Sequence, residues 1–232
     1  MISRYISFDV GVRNFAVAVL DIVHGEIAQK MRVRHWECFD LLEGTRKKNA
    51  NAVSSRSLRE LLWTSLDRRS NVFFDNDVLA SNMHVGVEMQ MKSKMSILET
   101  TIWGYFKDRV HTVESIHARK KFNIACMQDV VSAGGSYAQN KKQAITTCGR
   151  FLTTHGYITE CEQLAQSKKK DDLADAFLQA LFLSEKYASK YFSESQNDNN
   201  NSGPDSAGDE EGAVQTSTDH GEETDTGATD ST

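Results

Sequence analysis

Carboxylates in three separate segments stand where an acidic side chain is costly unless it has a task. Asp9 ends an alternating run in Ser7-Phe8-Asp9-Val10-Gly11, and Glu88 sits in Gly86-Val87-Glu88-Met89-Gln90. Asp172 and Asp175 fall in Lys170-Asp171-Asp172-Leu173-Ala174-Asp175-Ala176-Phe177. Residues three apart share a helix face, so Asp172 and Asp175 can aim at one spot; Asp171 and Asp175, four apart, can do the same. Gathered together, such groups repel and raise one another's pKa unless cations lie between them. Phosphodiester hydrolysis is a chemistry that uses this crowding. Two Mg²⁺ ions roughly 4 Å apart can clamp a scissile phosphate. Mg²⁺ takes hard oxygen ligands and keeps several waters, so three or four carboxylates suffice. Basic residues should ring such a site to hold a nucleic-acid backbone. The candidates are Lys92, Lys94, Arg119, Lys120, Lys121, Lys141, Lys142 and Lys168–Lys170.

Each piece alone has an ordinary explanation. An Asp after a strand is commonly a turn residue, and a strand Glu is commonly solvated. Acidic residues in the first turn of a helix complement its dipole, which is the reading preferred for Asp171 over that of an extra metal ligand. Only the combination points to chemistry.

The elements that must position these groups follow from periodicity. Tyr5–Val10 alternates, with Ile6, Phe8 and Val10 against Tyr5, Ser7 and Asp9, and predicts a strand. Gly11–Asn14 reads as a tight turn, Phe15–Ile22 as a second strand, and Met31–Phe39 as a third. Leu58, Leu61, Leu62, Trp63 and Leu66 fall at helical spacing within Ser57–Arg68. Val85–Met91 predicts a fourth strand with one polar face, Ser96–Lys107 a helix, and Val110–His117 a fifth strand. Ala118–Asn140, with Gly134-Gly135, reads as irregular; helices over Lys141–His155 and from Asp171 to about Phe192 close the domain. The order implies an α/β domain: a mixed five-stranded sheet, three antiparallel strands then parallel ones, flanked by helices.

Composition divides the 232 residues in two. Ser193–Thr232 has no Lys or Arg, no aromatic residue and 11 acidic residues, and is expected to be a disordered acidic tail. The whole chain has a formal charge of −5, but residues 1–192 hold all 27 basic residues and 21 acidic ones, a net of +6. A basic folded part suits an anionic partner. Cys38, Cys126, Cys148 and Cys161 show no CxxC pair, which argues against zinc and fits a reducing compartment. No apolar run reaches the ~20 residues of a membrane helix. The first strand starts almost at Met1, so no signal or transit peptide is expected. Gly134-Gly135 lacks the GxxxxGK[ST] pattern, which argues against a nucleotide-binding P-loop.

The order of these motifs resembles the RuvC-like resolvases of the RNase H-like superfamily, and most closely their poxviral and fungal mitochondrial branch. Ser7-Phe8-Asp9-Val10-Gly11-Val12-Arg13-Asn14 is similar to that family's first-strand Asp with Gly-x-x-Asn after it. Val87-Glu88-Met89-Gln90 is similar to its strand Glu with a Gln two residues on, and Asp171-Asp172-Leu173-Ala174-Asp175-Ala176 to its closing helix. Gly134-Gly135-Ser136-Tyr137 through Lys141-Lys142-Gln143 resembles its Gly-containing loop and following lysine.

The resemblance spans residues 1–187. It implies an RNase H-like fold and a homodimeric endonuclease that cuts four-way (Holliday) DNA junctions by paired symmetric nicks. It also implies two Mg²⁺ per site, with Mn²⁺ able to substitute, and Asp9, Glu88, Asp172 and Asp175 as catalytic metal ligands. A lysine from Arg119-Lys120-Lys121 or Lys141-Lys142 would touch phosphate. No nucleotide cofactor and no membrane are implied; a poxvirus-like protein would act where viral DNA replicates in the host. Two alternatives stay open at this point. One is an RNase H-like nuclease for structured RNA or hybrids, since carboxylates alone do not choose a substrate. The other is an ATP-binding protein of the actin and sugar-kinase class, whose phosphate loop also reads Asp-x-Gly-x-x-Asn.

Overall fold

The computed structural model describes residues 1–25, 29–45, 49–124 and 136–198. Strands β1 (Ile2–Asp9), β2 (Phe15–His24) and β3 (Gln29–Phe39) form an antiparallel meander. The chain then crosses through helix α1 (Ser55–Asp67) and the short α2 (Ser70–Phe73) to β4 (Met83–Glu88), which pairs parallel with β1. Helix α3 (Ser93–Phe106) leads to β5 (Thr112–Ile116), parallel to β4. The sheet order is β3-β2-β1-β4-β5. Helices α4 (Tyr137–Thr154), α5 (Ile158–Gln166) and α6 (Lys170–Asp198) follow.

Pleating sends alternate side chains to opposite faces, and both faces are covered. Ile6, Phe8, Val17, Val19, Val85 and Val87 pack on one side against Leu58, Leu62 and Leu66 of α1 and Leu98, Ile102 and Phe106 of α3. On the other side Ala16, Ala18 and Leu20 meet Ala144, Cys148 and Leu152 of α4 and Ala174, Phe177, Leu178 and Leu181 of α6. Small residues let α6 come close. A Cβ at Gly86 would lie 2.2 Å from Ile116 Cδ1 and 2.7 Å from Leu183 Cδ1. The polar positions on the α6 side, Ser7 among them, are therefore buried rather than solvated; Ser7 Oγ donates to Gln179 Oε1 of α6 at 3.1 Å.

One charged group is buried outright. Arg4 is 0% exposed at the start of β1. Its Nε and Nη2 each reach the Asp21 carboxylate at 2.7 Å, while Nη1 donates to the Phe73 carbonyl and Nη2 to Asp75, both at 3.0 Å. This fork fixes the α2 turn to the end of the sheet away from Asp9.

Several boundaries differ from expectation, each for a local reason. β4 stops at Glu88 instead of reaching Met91. The Met89 N–H still bonds the Ile116 carbonyl (2.8 Å), but the Gln90 N–H turns to Glu99 of α3 (3.0 Å), which ends the ladder. α4 begins at Tyr137, inside the stretch read as irregular, because Ser136 and Gln139 form a reciprocal capping box. Ala118–Phe122 in that same stretch is a 3₁₀ helix. Gly134-Gly135 lie outside the described residues, as does the tail from residue 199 onward. Helix α5 was not foreseen. It is nine residues long and buries only Leu164 fully, too little for periodicity to register.

Candidate active site

Parallel pairing of β1 and β4 sets Phe8 opposite Val87, so the next residues, Asp9 and Glu88, end adjacent strands at one edge. The first turns of α6 reach the same edge. A cleft of about 180 Å³ there is lined by Asp9, Glu88, Asp172 and Asp175 together with Arg119, Lys121, Asn140 and Lys141. The three distant acidic segments thus meet at one edge of the sheet. A roomier hollow of about 770 Å³ beside α1, lined by Leu61, Arg68 and Arg69 among others, holds none of these carboxylates.

The turn behind Asp9 is tightly specified. A Cβ on Gly11 would lie 2.4 Å from the Asn14 carbonyl oxygen, a backbone atom that cannot step aside. With its amide turned to satisfy its neighbours, the Asn14 side-chain oxygen accepts from Lys169 Nζ at 3.3 Å, which links this turn to the approach to α6. Gly11→Ala should therefore cost about 1–3 kcal/mol. Urea unfolding checks this; an unchanged midpoint would mean that the turn tolerates a side chain.

The electrostatics are those of crowded acids. Burial, then a hydrogen bond to Glu88, then the charges of Glu88, Asp175 and Asp172 push the Asp9 carboxyl well above the usual range. Burial also lifts Asp175 to about 6, with Lys121 opposing and Glu88 and Asp172 adding to the rise. Asp172 is raised by burial and by Asp171, against Lys141 and Lys169. Asp171 behaves differently. Burial raises it, but an ion pair with Lys141 outweighs this and leaves it low. Cys38, which lines a neighbouring hollow, is pushed up to about 12 by burial and by the charges of Asp172 and Asp9, which disfavours its thiolate.

Asp172 Oδ2 and Asp175 Oδ1 are buried with no hydrogen-bond partner among the described residues. Unpaired oxygens on clustered carboxylates are the donor set a hard divalent cation takes. Among the described residues no three acidic, histidine or cysteine side chains are drawn tightly enough to enclose one ion. Two ammonium groups supply positive charge instead, Lys121 on Asp175 and Lys141 on Asp171.

The remaining basic candidates scatter. Arg119, Lys121 and Lys141 line the cleft. Lys120 and Lys142 are exposed beside it, as are Lys168 and Lys169. Lys92 and Lys94 line a different hollow, of about 380 Å³. Lys94 Nζ is committed to the carbonyls of Ala50, Asn51 and Val53, so it fastens the approach to α1. Asn140, from the fourth residue of α4, lines the cleft although no role was assigned to it from sequence. The Tyr137 side chain lies outside the described set. Gln90 donates through Nε2 to Glu88 Oε2 (3.3 Å) and to the Glu88 carbonyl (3.2 Å), which gives the Glu-x-Gln spacing a physical purpose.

Known structures share this architecture. The crystal structure of the fowlpox virus Holliday junction resolvase matches with a TM-score of 0.52 at 18% identity, covering 81% of this chain and 99% of that one. The fowlpox virus resolvase in complex with its substrate Holliday junction DNA matches with a TM-score of 0.52 at 21% identity and the same coverage. RuvC from Thermus thermophilus matches at 14% identity with a TM-score of 0.48, covering 78% of this chain and 92% of that one. No curated protein matches. The sheet of three antiparallel and two parallel strands is thus the expected RNase H-like one. The model of the Poxvirus A22 protein family matches residues 4–186, from the buried Arg4 through both acidic turns of α6, and the chain belongs to that family.

Proposed function

We propose that the protein is a divalent-metal-dependent endonuclease that resolves four-way DNA junctions, with Asp9, Glu88, Asp172 and Asp175 as its metal ligands. The observation that carries this reading is the convergence of those four carboxylates on one lysine-flanked cleft, in a chain that shares the fold of a junction resolvase. Mg²⁺ is the assigned cofactor, two ions per site, with Mn²⁺ able to replace it. When bound, the ions would supply Lewis acidity and neutralise developing charge at the phosphate. The protein's own groups do the rest. Arg119 and Lys141 at the rim bind backbone phosphate, Lys120 and Lys142 extend that track, and Asp171 holds Lys141 in place rather than binding metal. Lys121 balances Asp175. The active form is a homodimer, whose two clefts nick symmetric strands. It works where viral DNA replicates in the host; among the described residues no helix is long and apolar enough to cross a membrane.

The decisive assay offers a mobile four-way junction to purified protein across a Mg²⁺ titration and maps the products. Paired nicks at symmetric positions are expected. Preferential cutting of an RNA–DNA duplex would instead favour the hybrid-nuclease alternative; the family match sets the ATP-binding one aside. Because phosphate contacts release counterions, log affinity for the junction should fall linearly with log salt. A flat salt response would remove the lysines from the interface.

Metal should also act on stability. Asp9, Asp172 and Asp175 have raised folded-state values, so the stability they contribute is complete below their unfolded pKa and is lost as pH rises through the folded one. For Asp175 that window runs from about 4 up to about 6. Mn²⁺ should therefore raise the melting temperature more at pH 8 than at pH 5. An equal shift at both pH values would place the ion elsewhere.

A further inference from the structure

We propose that Glu99, on α3, is a positioning residue for Glu88. The inference rests on the four-acid reading above and deepens it. Past the end of β4 the chain leaves the ladder after Met89 and runs out into solvent, with Met89 48% and Met91 98% exposed. Apolar packing does little to hold this segment. Glu99 supplies the anchor. Its Oε2 accepts the Gln90 N–H at 3.0 Å, and its Oε1 accepts the Ser115 hydroxyl from β5. Ser115 Oγ in turn accepts Trp103 Nε1 at 3.3 Å, one helical turn further along α3.

Both carboxylate oxygens are thus engaged, by donors from two different elements, and a charged acceptor makes each bond stronger than a neutral one. With its main chain fixed in this way, Gln90 can send its side chain back to Glu88 Oε2. Glu88 is then restrained by Gln90 through that bond. The relay Trp103–Ser115–Glu99–Gln90–Glu88 connects a helix on the outer face of the sheet to one acid of the cleft. Its purpose is to hold the Glu88 carboxylate in the orientation a cation needs. Outer partners of this kind commonly set ligand orientation in metal sites.

The test measures Mn²⁺ binding to the full chain by calorimetry without DNA, alongside Mg²⁺ dependence of junction cleavage and junction affinity in EDTA. Glu99→Ala should weaken Mn²⁺ binding about 10–100-fold and raise the half-maximal Mg²⁺ concentration to match, with junction affinity unchanged. Glu99→Gln should recover much of the loss, because its amide oxygen can still accept the Gln90 N–H. Should Glu99→Ala fail to fold, Gln90→Met cuts the same relay without touching α3 and should weaken Mn²⁺ similarly. The proposal is overturned if Glu99→Ala, or Gln90→Met in its place, binds Mn²⁺ like wild type, whatever happens to melting temperature. A wild-type chain that binds no Mn²⁺ overturns the four-acid reading itself and this inference with it. The two failures are therefore told apart by the wild-type titration.

Discussion

Asp9→Asn is expected to abolish junction cleavage, by about 10³-fold or more, while leaving junction binding intact. Asp9 sits at the centre of the acidic cluster and is 9% exposed. Asn keeps the shape and a hydrogen bond to Glu88 but carries no charge for a cation. The lysines proposed to bind phosphate are untouched, so affinity in EDTA should match wild type. A second consequence carries the opposite sign. Burial and three neighbouring acids raise the Asp9 carboxyl, so ionising it weakens the fold as pH climbs through its folded-state value. In EDTA at pH 8 the Asn variant should therefore melt above wild type, and the gap should close toward pH 4. Gel assays of cleavage and binding with melting curves at both pH values check the set. Cleavage at the wild-type rate would remove Asp9 from the site.

The largest expected loss of stability lies at the other end of the same strand. Arg4→Ala should cost about 3–5 kcal/mol, the usual penalty for breaking a buried ion pair. The guanidinium satisfies both oxygens of Asp21, a carbonyl of the α2 turn and Asp75. Removing it takes away the partner that both oxygens of the nearly buried Asp21 carboxylate bond. Equilibrium urea unfolding measures the loss. Pairing Arg4→Met with Asp21→Leu should recover much of it, because a well-packed apolar pair can stand in for a buried ionic one. If Arg4→Ala unfolds at the wild-type midpoint, water must already reach this fork.

Sequence periodicity was enough for the meander, the two parallel strands and the helix between them, because each carries apolar residues at its own repeat. The four carboxylates drew attention only in combination, because each alone reads as an ordinary turn, strand or first-turn acid. Much else depended on partners distant in the chain. Nothing around Arg4 announces Asp21 and Asp75 as its counter-ions. The burial of Ser7 and Gly86 follows from α6 lying across them, which no local pattern in β1 or β4 encodes. Lys94 looked like a phosphate ligand by composition, yet three carbonyls before α1 take its ammonium group. Nothing in the sequence around Glu99 singles it out. Its role appears only when β4, β5 and α3 are seen side by side. One miss was avoidable: Ser136-Tyr137-Ala138-Gln139 is a readable capping box, and it marks the start of α4.

The placement of Asp172 and Asp175 on α6 also bears on how the protein is made. A ribosome releases the chain from its N-terminus, and all five strands emerge before this helix does. Until α6 docks, Ala16, Ala18 and Leu20 lack their cover and the cleft has only half its acids. The same late event that seals the hydrophobic face supplies the missing carboxylates. Under the proposed four-acid reading, a nascent, truncated or stalled chain lacks half its metal ligands and would not cut nearby DNA.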